Sequence, residues 1–184
     1  SSAAFAVVAA LIVPGSDVVV ESVMLNPRRT ALYDALIQMG GDISFENERA
    51  VGGGERVADI RARFSNLTGI VVDPARAADM IDEYPILSVV AAYAQGDTVM
   101  RGVKELRVKE SDRIQAMVEG MQALGVDAVG TEDGAIINGF GSEGSFNGGE
   151  VDSVDDHRIA MSFTIASLRA NAPILIKDCA NVAT

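Results

Sequence analysis

The sequence repeats one pattern of helices and strands with a period of about 70 to 80 residues, which is too long for a common solenoid. The first copy contains Val8-Ala-Ala10 and ends its second helix at Met39-Gly-Gly-Asp42. The second copy has Val90-Ala-Ala92 and Leu124-Gly-Val-Asp127 at the matching positions, and a third begins at Asp155-Asp-His-Arg158. Such a repeat predicts similar units arranged about an approximate symmetry axis.

Each complete copy reads as a helix, a strand, a second helix and a hairpin. For the first copy the hydrophobic pattern predicts helices at 3–13 and from 26 onward, strands at 18–23, 43–47, 57–64 and 69–72, and a hairpin turn at 52–54. Asn26 is the predicted N-cap of the second helix and Pro27 its first residue, because Asn and Pro are favoured at those positions.

The second copy and the partial third copy follow the same order. The predicted elements are helices at 85–94 and 111–124, strands at 98–103, 126–129, 135–138 and 173–176, and a third-copy helix with apolar residues Ile159, Met161, Phe163, Ile165 and Leu168. A Gly-, Ser- and Asn-rich loop is predicted at 139–149. Two helices against a small sheet in each unit indicate the α+β fold class.

The net charge of −11 limits the classes of partner that the chain can bind, and the single cysteine indicates a cellular compartment. An acidic chain disfavours nucleic acid and anionic membranes as partners, so an anionic ligand would need a local concentration of cations. Cys179 has no disulfide partner within the sequence, which suits a reducing cytoplasm. The apolar run at 3–13 is too short to span a bilayer, and no basic segment precedes it as in a signal peptide. Because the sequence lacks an initiator Met, we expect a fragment.

The densest group of charges is Arg107-Val-Lys-Glu-Ser-Asp-Arg113, directly before an amphipathic helix. On a continuous helix, Lys109, Glu110 and Arg113 share one side, at an N-terminus whose free N–H groups and dipole attract anions. Positive side chains are unfavourable there unless an anionic ligand arrives. The alternative is a solvated, salt-bridged helix start without a ligand.

Two further charged clusters precede apolar helices, at Asp82-Glu-Tyr-Pro85 and at Asp156-His-Arg158. If the three helix N-termini converge, they form one pocket with a positive backbone potential. In such a pocket Arg113 and Arg158 could bind a carboxylate or phosphate in bidentate fashion.

The acidic residues of these clusters are candidates for proton transfer. Asp82 or Glu110 could move protons, because enclosure by apolar walls raises the pKa of a carboxylate toward neutrality. The alternatives are that Asp82 and Asp156 are ordinary helix caps, and that His157 caps or packs rather than taking part in catalysis. The sequence contains one histidine and no metal-ligand spacing, so no metal site is predicted.

Three motifs carry a resemblance to a known family: Met80-Ile-Asp-Glu-Tyr-Pro85, Arg107-Val-Lys-Glu-Ser-Asp-Arg-Ile114 and Asp156-His-Arg-Ile-Ala-Met161. In this order they resemble the C-terminal half of the 5-enolpyruvylshikimate-3-phosphate synthase family, over essentially all 184 residues. The residues of these motifs resemble those of the bacterial branch that includes glyphosate-tolerant enzymes. The resemblance implies two domains, each of three βαβαββ units with helices inside and sheets outside, of which residues 1–184 form one.

The resemblance also implies a reaction and roles for residues. The enolpyruvyl group of phosphoenolpyruvate passes to the 5-hydroxyl of shikimate 3-phosphate, phosphate is released, and no metal or organic cofactor is needed. By position, Asp82 resembles the carboxylate that takes the hydroxyl proton, and Glu110 the carboxylate beside the methylene carbon. Lys109 resembles the lysine beside the shikimate phosphate. Arg113 and Arg158 resemble the pair that binds the phosphoenolpyruvate carboxylate.

The sequence departs from the family pattern in two ways, a different residue at one site position and the absence of other parts of the family sequence. Ala183 stands where many members have a lysine near the phosphate of phosphoenolpyruvate. The N-terminal half, which supplies further phosphate-binding residues, and the segment after Thr184 are absent from this sequence. We therefore expect half an active site, an isolated chain with little or no activity, and the N-terminal domain of the same enzyme as its partner. Two other functions stay open: UDP-N-acetylglucosamine enolpyruvyl transferase, which shares the fold, and a non-catalytic domain that has kept it.

Overall fold

The structure, a computed structural model, describes residues 2–26 and 30–183. In that part of the chain the α-helices are α1 (Ser2–Ile12), α2 (Ala31–Gln38), α3 (Tyr84–Ala92), α4 (Arg113–Ala123) and α5 (His157–Ser167). The strands are β1 (Asp17–Met24), β2 (Asp42–Val51), β3 (Glu55–Arg63), β4 (Leu67–Thr68), β5 (Ala94–Met100), β6 (Asp127–Thr131), β7 (Gly134–Phe140), β8 (Gly149–Asp152) and β9 (Ile174–Lys177). Short 3-10 turns occupy Gly52–Gly54, Pro74–Glu83, Lys104–Val108 and Ala180–Ala183.

The strands form small sheets that share one plan. In the first, β3 lies between β1 and β2 and is antiparallel to both. The second repeats this arrangement with β5, β7 and β6, and adds β4 parallel to β5. In the third, β8 is parallel to β9. Thus β4, α3, β5, α4, β6 and β7 form a complete βαβαββ unit, and the segments α1 to β3 and β8 to β9 match parts of it. The predicted repeat and the α+β class are confirmed.

Helices α1, α3 and α5 contact one another at the centre of the core, while the sheets lie outside them. Helix α3 is apolar on every side and all nine of its residues are buried, as expected for a helix surrounded by other elements. Helix α4 approaches α5 closely at Gly120, where a Cβ atom would lie 2.2 Å from Cζ of Phe163. Among the described residues, no helix is both long enough and apolar enough to cross a bilayer.

The start of α2 differs from the prediction. Thr30 is the N-cap of α2, and its carbonyl oxygen accepts hydrogen bonds from the amides of Tyr33 and Asp34 at 2.9 and 3.3 Å. The prediction of Asn26 as the N-cap is therefore wrong. Thr is itself favoured at N-caps, so two candidates were close together in the sequence. The predicted first helical residue, Pro27, lies outside the described residues.

The strand predicted at 69–72 is wrong in position. The paired residues are Leu67–Thr68 in β4, and Val71 makes only an isolated bridge to Val99. The chain passes β5 closely at Gly69, where a Cβ atom would lie 2.1 Å from a β5 carbonyl oxygen. The chain still runs along β5 here, because the amides of Gly69 and Val72 donate to the carbonyl oxygens of Gln95 and Val99, both at 2.9 Å, but residues 69–72 form no regular strand.

The start of α4 is also corrected, from residue 111 to Arg113. Asp112 is the N-cap, and its Oδ1 accepts a hydrogen bond from the amide of Gln115 at 3.0 Å. Lys109 and Glu110 therefore precede the helix, in the connection that follows a 3-10 turn. The interpretation that these two residues share one helical side with Arg113 is wrong.

Smaller differences concern short or terminal segments. β8 was not predicted, because its four residues Gly149–Asp152 include a single apolar residue, Val151, and so show no alternation. Leu168, predicted on the apolar face of the third-copy helix, follows α5 and is 55% exposed. The residues buried on that helix include Ile159 and Phe163, as predicted, and also Ala160 and Ala166.

Candidate active site

The N-terminal ends of α3, α4 and α5 meet at the side chain of Arg113, which is 1% exposed. Its Nε and Nη2 donate to the two carboxylate oxygens of Asp156, at 2.8 and 3.3 Å. Its Nη1 donates to Oδ1 of Asp82 at 3.0 Å, and Nη2 lies 2.6 Å from Oε2 of Glu110. The fold therefore brings together residues from all three predicted clusters, although they are distant along the chain.

Asp156 both binds Arg113 and caps α5, and its side chain is completely buried. The amide of Arg158 donates to its Oδ1 at 2.9 Å, and the hydroxyl of Ser111 donates to its Oδ2 at 3.0 Å. Burial alone would raise the pKa of Asp156, but the hydrogen bonds and charge of Arg113 outweigh it, and the pKa is lowered. Burial likewise would lower the pKa of Arg113, yet its carboxylate partners raise it. The buried pair is thus stabilised in its ionised form.

Asp82 and Glu110 lie on the open side of Arg113. Their side chains are 47% and 52% exposed, respectively. The enclosure by apolar walls that was predicted for these carboxylates is therefore wrong for the described part of the chain. Both remain bound to a cation while being accessible to a ligand.

Arg158 and His157 begin α5 beside this cluster. Nη1 of Arg158 lies 3.9 Å from Oε1 of Glu83, and both side chains are 14% exposed. Because Glu83 follows Asp82 directly, this contact joins the starts of α3 and α5 a second time. His157 is half-buried at the first position of α5, directly after the buried carboxylate of Asp156.

Lys109 is placed differently from the prediction. Its Nζ lies 3.0 Å from Oε1 of Glu105, and the two side chains are 25% and 68% exposed. A ligand phosphate would have to replace an exposed carboxylate there. Ala183 ends a 3-10 turn, and its side chain lies outside the described part of the structure.

Sequence reasoning did not identify two groups that hold the cluster together. Ser111 donates to Asp156, and Glu83 faces Arg158. The only signal for them was their position inside the charged motifs, which does not show which side chains pair. Among the described residues, no group of His, Cys, Asp or Glu is arranged to hold a metal ion.

The arrangement of these units is that of an enolpyruvyl transferase fold. The chain superposes on the crystal structure of the enolpyruvyl transferase NikO from Streptomyces tendae with a TM-score of 0.64. The match covers 99% of this chain and 39% of that chain at 15% sequence identity, so it shows the fold alone.

The chain belongs to the EPSP synthase family, because residues 1–184 match the family model described as EPSP synthase (3-phosphoshikimate 1-carboxyvinyltransferase). It is 57% identical to the 3-phosphoshikimate 1-carboxyvinyltransferase of Roseobacter denitrificans, over 100% of this chain and 41% of that relative. An EPSP synthase structure from Acinetobacter baumannii matches with a TM-score of 0.95 and 50% identity, over 100% of this chain and 42% of that chain. The chain thus spans about two fifths of the length of the curated relatives it matches. These comparisons show the family, and the glyphosate-tolerant branch stays a prediction.

Proposed function

We propose that residues 1–184 form the C-terminal domain of a two-domain cytoplasmic enzyme. The enzyme transfers the enolpyruvyl group of phosphoenolpyruvate to the 5-hydroxyl of shikimate 3-phosphate and releases phosphate. The observation that carries the proposal is the Arg113 cluster, in a chain that matches the EPSP synthase family over its whole length. The rest of the site belongs to the N-terminal domain, which is the partner of this chain.

Arg113 is suited to exchange one carboxylate for another. Its guanidinium contacts three carboxylates, of which Asp156 is fully buried and the other two are about half exposed. The carboxylate of phosphoenolpyruvate replaces Asp82 and Glu110, while Asp156 stays in place. The guanidinium then remains neutralised throughout, which avoids the high cost of an unpaired buried charge. Arg158, nearly buried beside Glu83, supplies the second cation of the clamp.

The displaced carboxylates then carry the protons of the reaction. Asp82 takes the proton from the 5-hydroxyl as the hydroxyl oxygen attacks C2 of phosphoenolpyruvate, and a proton passes from the carboxyl group of Glu110 to the methylene carbon. In the second half, the methyl group returns a proton to Glu110, the double bond re-forms and the C–O bond to phosphate breaks. Lys109 offsets the charge of the shikimate 3-phosphate, since both substrates are polyanions and repel each other.

The test is phosphate release with both substrates, measured for the full-length protein and for residues 1–184 alone. We expect turnover by the full-length protein and little or none by the isolated chain. Turnover at full-length rates by the isolated chain would contradict the half-site. Phosphate release with UDP-N-acetylglucosamine in place of shikimate 3-phosphate would identify the related transferase. Absence of both turnover and binding would indicate a non-catalytic domain.

The proposed roles of the carboxylates are tested in the full-length protein by Asp82→Asn and Glu110→Gln. Each change removes a carboxyl group that carries a proton, so kcat should fall by about 100- to 1,000-fold. Glu119→Gln is the matched control, because Glu119 is exposed on α4 and pairs with Gln115 there. A kcat for either site variant equal to that of the control would exclude that residue as a proton carrier.

A further inference from the structure

Lys109 and Glu110, two residues of the proposed site, lie in a stretch that neither a helix nor a strand holds. The stretch runs from the end of the 3-10 turn Lys104–Val108 to Asp112, the N-cap of α4. Lys109 has an extended backbone there, with φ −77° and ψ −150°. Side-chain contacts must fix this stretch, and a catalytic group displaced by about 1 Å can lower a rate about 100-fold.

Arg107 bridges this stretch to the turn between β6 and β7. Its Nε donates to the carbonyl oxygen of Glu132 at 2.9 Å, and its Nη2 donates to the carbonyl oxygen of Thr131. Its Nη1 donates to Oδ2 of Asp112 at 2.7 Å, while Oδ1 of the same carboxylate caps α4. One guanidinium therefore joins the hairpin turn to the first turn of α4.

The same hairpin turn also holds the chain that enters loop 102–112. The amide of Gly102 donates to Oδ2 of Asp133 at 3.0 Å, and the amide of Val103 donates to the carbonyl oxygen of Asp133 at 2.8 Å. The hydrogen bond from Gly102 is the main reason that the pKa of Asp133 is lowered. The loop is thus attached to this turn at Gly102–Val103 and at Arg107, and the two proposed site residues lie between Arg107 and its partner Asp112.

We propose that Arg107 is a positioning residue, which fixes Lys109 and Glu110 relative to Arg113 without contacting the reacting atoms. This role rests on the function proposed above. A simple surface ion pair with Asp112 would require only a positive charge at position 107. The two carbonyl contacts require a planar guanidinium whose N–H donors point in fixed directions, and a lysine ammonium is a single point of charge. Arg107→Lys therefore separates the two roles.

The experiment compares Arg107→Lys and Arg107→Gln with Arg61→Lys in the full-length protein. Arg61 is a matched control on β3, because its guanidinium pairs with Asp17 and is 35% exposed, against 26% for Arg107. Hydrogen exchange is measured without substrates at the amides of Leu106 and Gln115, which are hydrogen-bonded on either side of Lys109 and Glu110. The kcat and KM are measured with both substrates. We expect exchange about tenfold faster in both Arg107 variants. We also expect kcat to fall about 10- to 100-fold in them, with no change in Arg61→Lys.

The outcomes separate this role from the proposed function. Unchanged exchange at Leu106 and Gln115 in Arg107→Lys would overturn the positioning role, whatever the activity. Faster exchange with kcat and KM like the wild type would also overturn it. A wild-type protein without turnover would overturn the proposed function, and with it the catalytic consequence assigned to Arg107. If the Arg107 variants do not fold, Asp133→Ala releases the other attachment of the loop and must show the same changes for the role to stand.

Discussion

Two arginines at opposite ends of the central helices are held by different kinds of acceptor, carboxylates for one and carbonyl oxygens for the other. Arg113 lies where α3, α4 and α5 begin, in contact with three carboxylates. Arg169 lies near the ends of α1, α3 and α5. Its Nη1 donates to the carbonyl oxygen of Ile12 at 2.9 Å, and its Nη2 donates to the carbonyl oxygens of Ser142 and Gly144 at 2.9 and 3.3 Å.

The helix dipole explains this difference. Carbonyl ends attract cations, so Arg169 needs only neutral acceptors and the ring of Tyr93, whose centroid is 4.8 Å away. N-terminal ends repel cations, so Arg113 depends on carboxylates from three separate segments. A buried ion network is weak evidence for stability, because desolvation offsets much of the attraction. The comparison therefore favours a structural role for Arg169 and supports the ligand-binding role proposed for Arg113.

The largest expected effect tests whether Asp156 keeps Arg113 in place. Asp156→Ala removes the fully buried partner of Arg113 and the N-cap of α5, so the free energy of unfolding should fall by about 3 to 5 kcal/mol. Urea denaturation followed by circular dichroism measures the change. Arg113→Met combined with Asp156→Leu should recover part of it, since apolar replacement of a whole buried pair is often tolerated. A loss below about 1 kcal/mol would mean that the half-exposed carboxylates suffice.

At the other end of the helices, Arg169→Ala should lower the free energy of unfolding by about 2 kcal/mol, because carbonyl groups lose a charged donor that water only partly replaces. Calorimetric binding of phosphoenolpyruvate to the full-length protein should stay unchanged. Arg169→Lys is the control that keeps the charge. Weaker ligand binding in Arg169→Ala, with the fold intact, would break the functional distinction between the two ends.

The two ends should also respond differently to acid. The pKa of Asp156 is lowered in the folded state, so its stabilising effect is present above the unfolded pKa of about 3.9 and is lost as pH falls through the lower folded pKa. The destabilisation caused by Asp156→Asn should therefore shrink as pH falls below about 4. The carbonyl partners of Arg169 do not titrate, so the effect of Arg169→Ala should be constant over this range. Parallel pH profiles of the two variants would contradict this assignment.

The order of the elements could be predicted because it depends on local hydrophobic patterns. The start of α4 could not, because Ser111 and Asp112 are both good N-caps. Distant side chains decide between them: the hydroxyl of Ser111 binds Asp156, while Asp112 binds Arg107 and caps the helix. At the start of α2, Thr30 is the N-cap although its side chain makes no capping hydrogen bond, so side-chain preference alone could not have placed that start.

The residues that gather at the site could be predicted, but their pairing and exposure could not. The charged motifs placed Asp82, Glu110 and Arg113 at one pocket, and the structure brings them into contact. Exposure depends on which elements pack over a side chain. In the structure Asp82 and Glu110 are about half exposed, whereas enclosure of these carboxylates was predicted. The buried side chain is that of Arg113. Lys109, expected beside Arg113, pairs with Glu105 instead, because the helix begins after it.

The smallest expected effects come from one hydroxyl at each end. Ser111→Ala removes the bond of 3.0 Å to the charged carboxylate of Asp156, and Tyr93→Phe removes the bond of 3.3 Å to the neutral carbonyl oxygen of Arg169. Hydrogen bonds to ionised acceptors are about twice as strong as neutral ones, so we expect losses of about 1 and about 0.5 kcal/mol, respectively. Urea denaturation of both variants under identical conditions measures the difference. A loss in Tyr93→Phe equal to or larger than that in Ser111→Ala would show that charge does not distinguish the two ends.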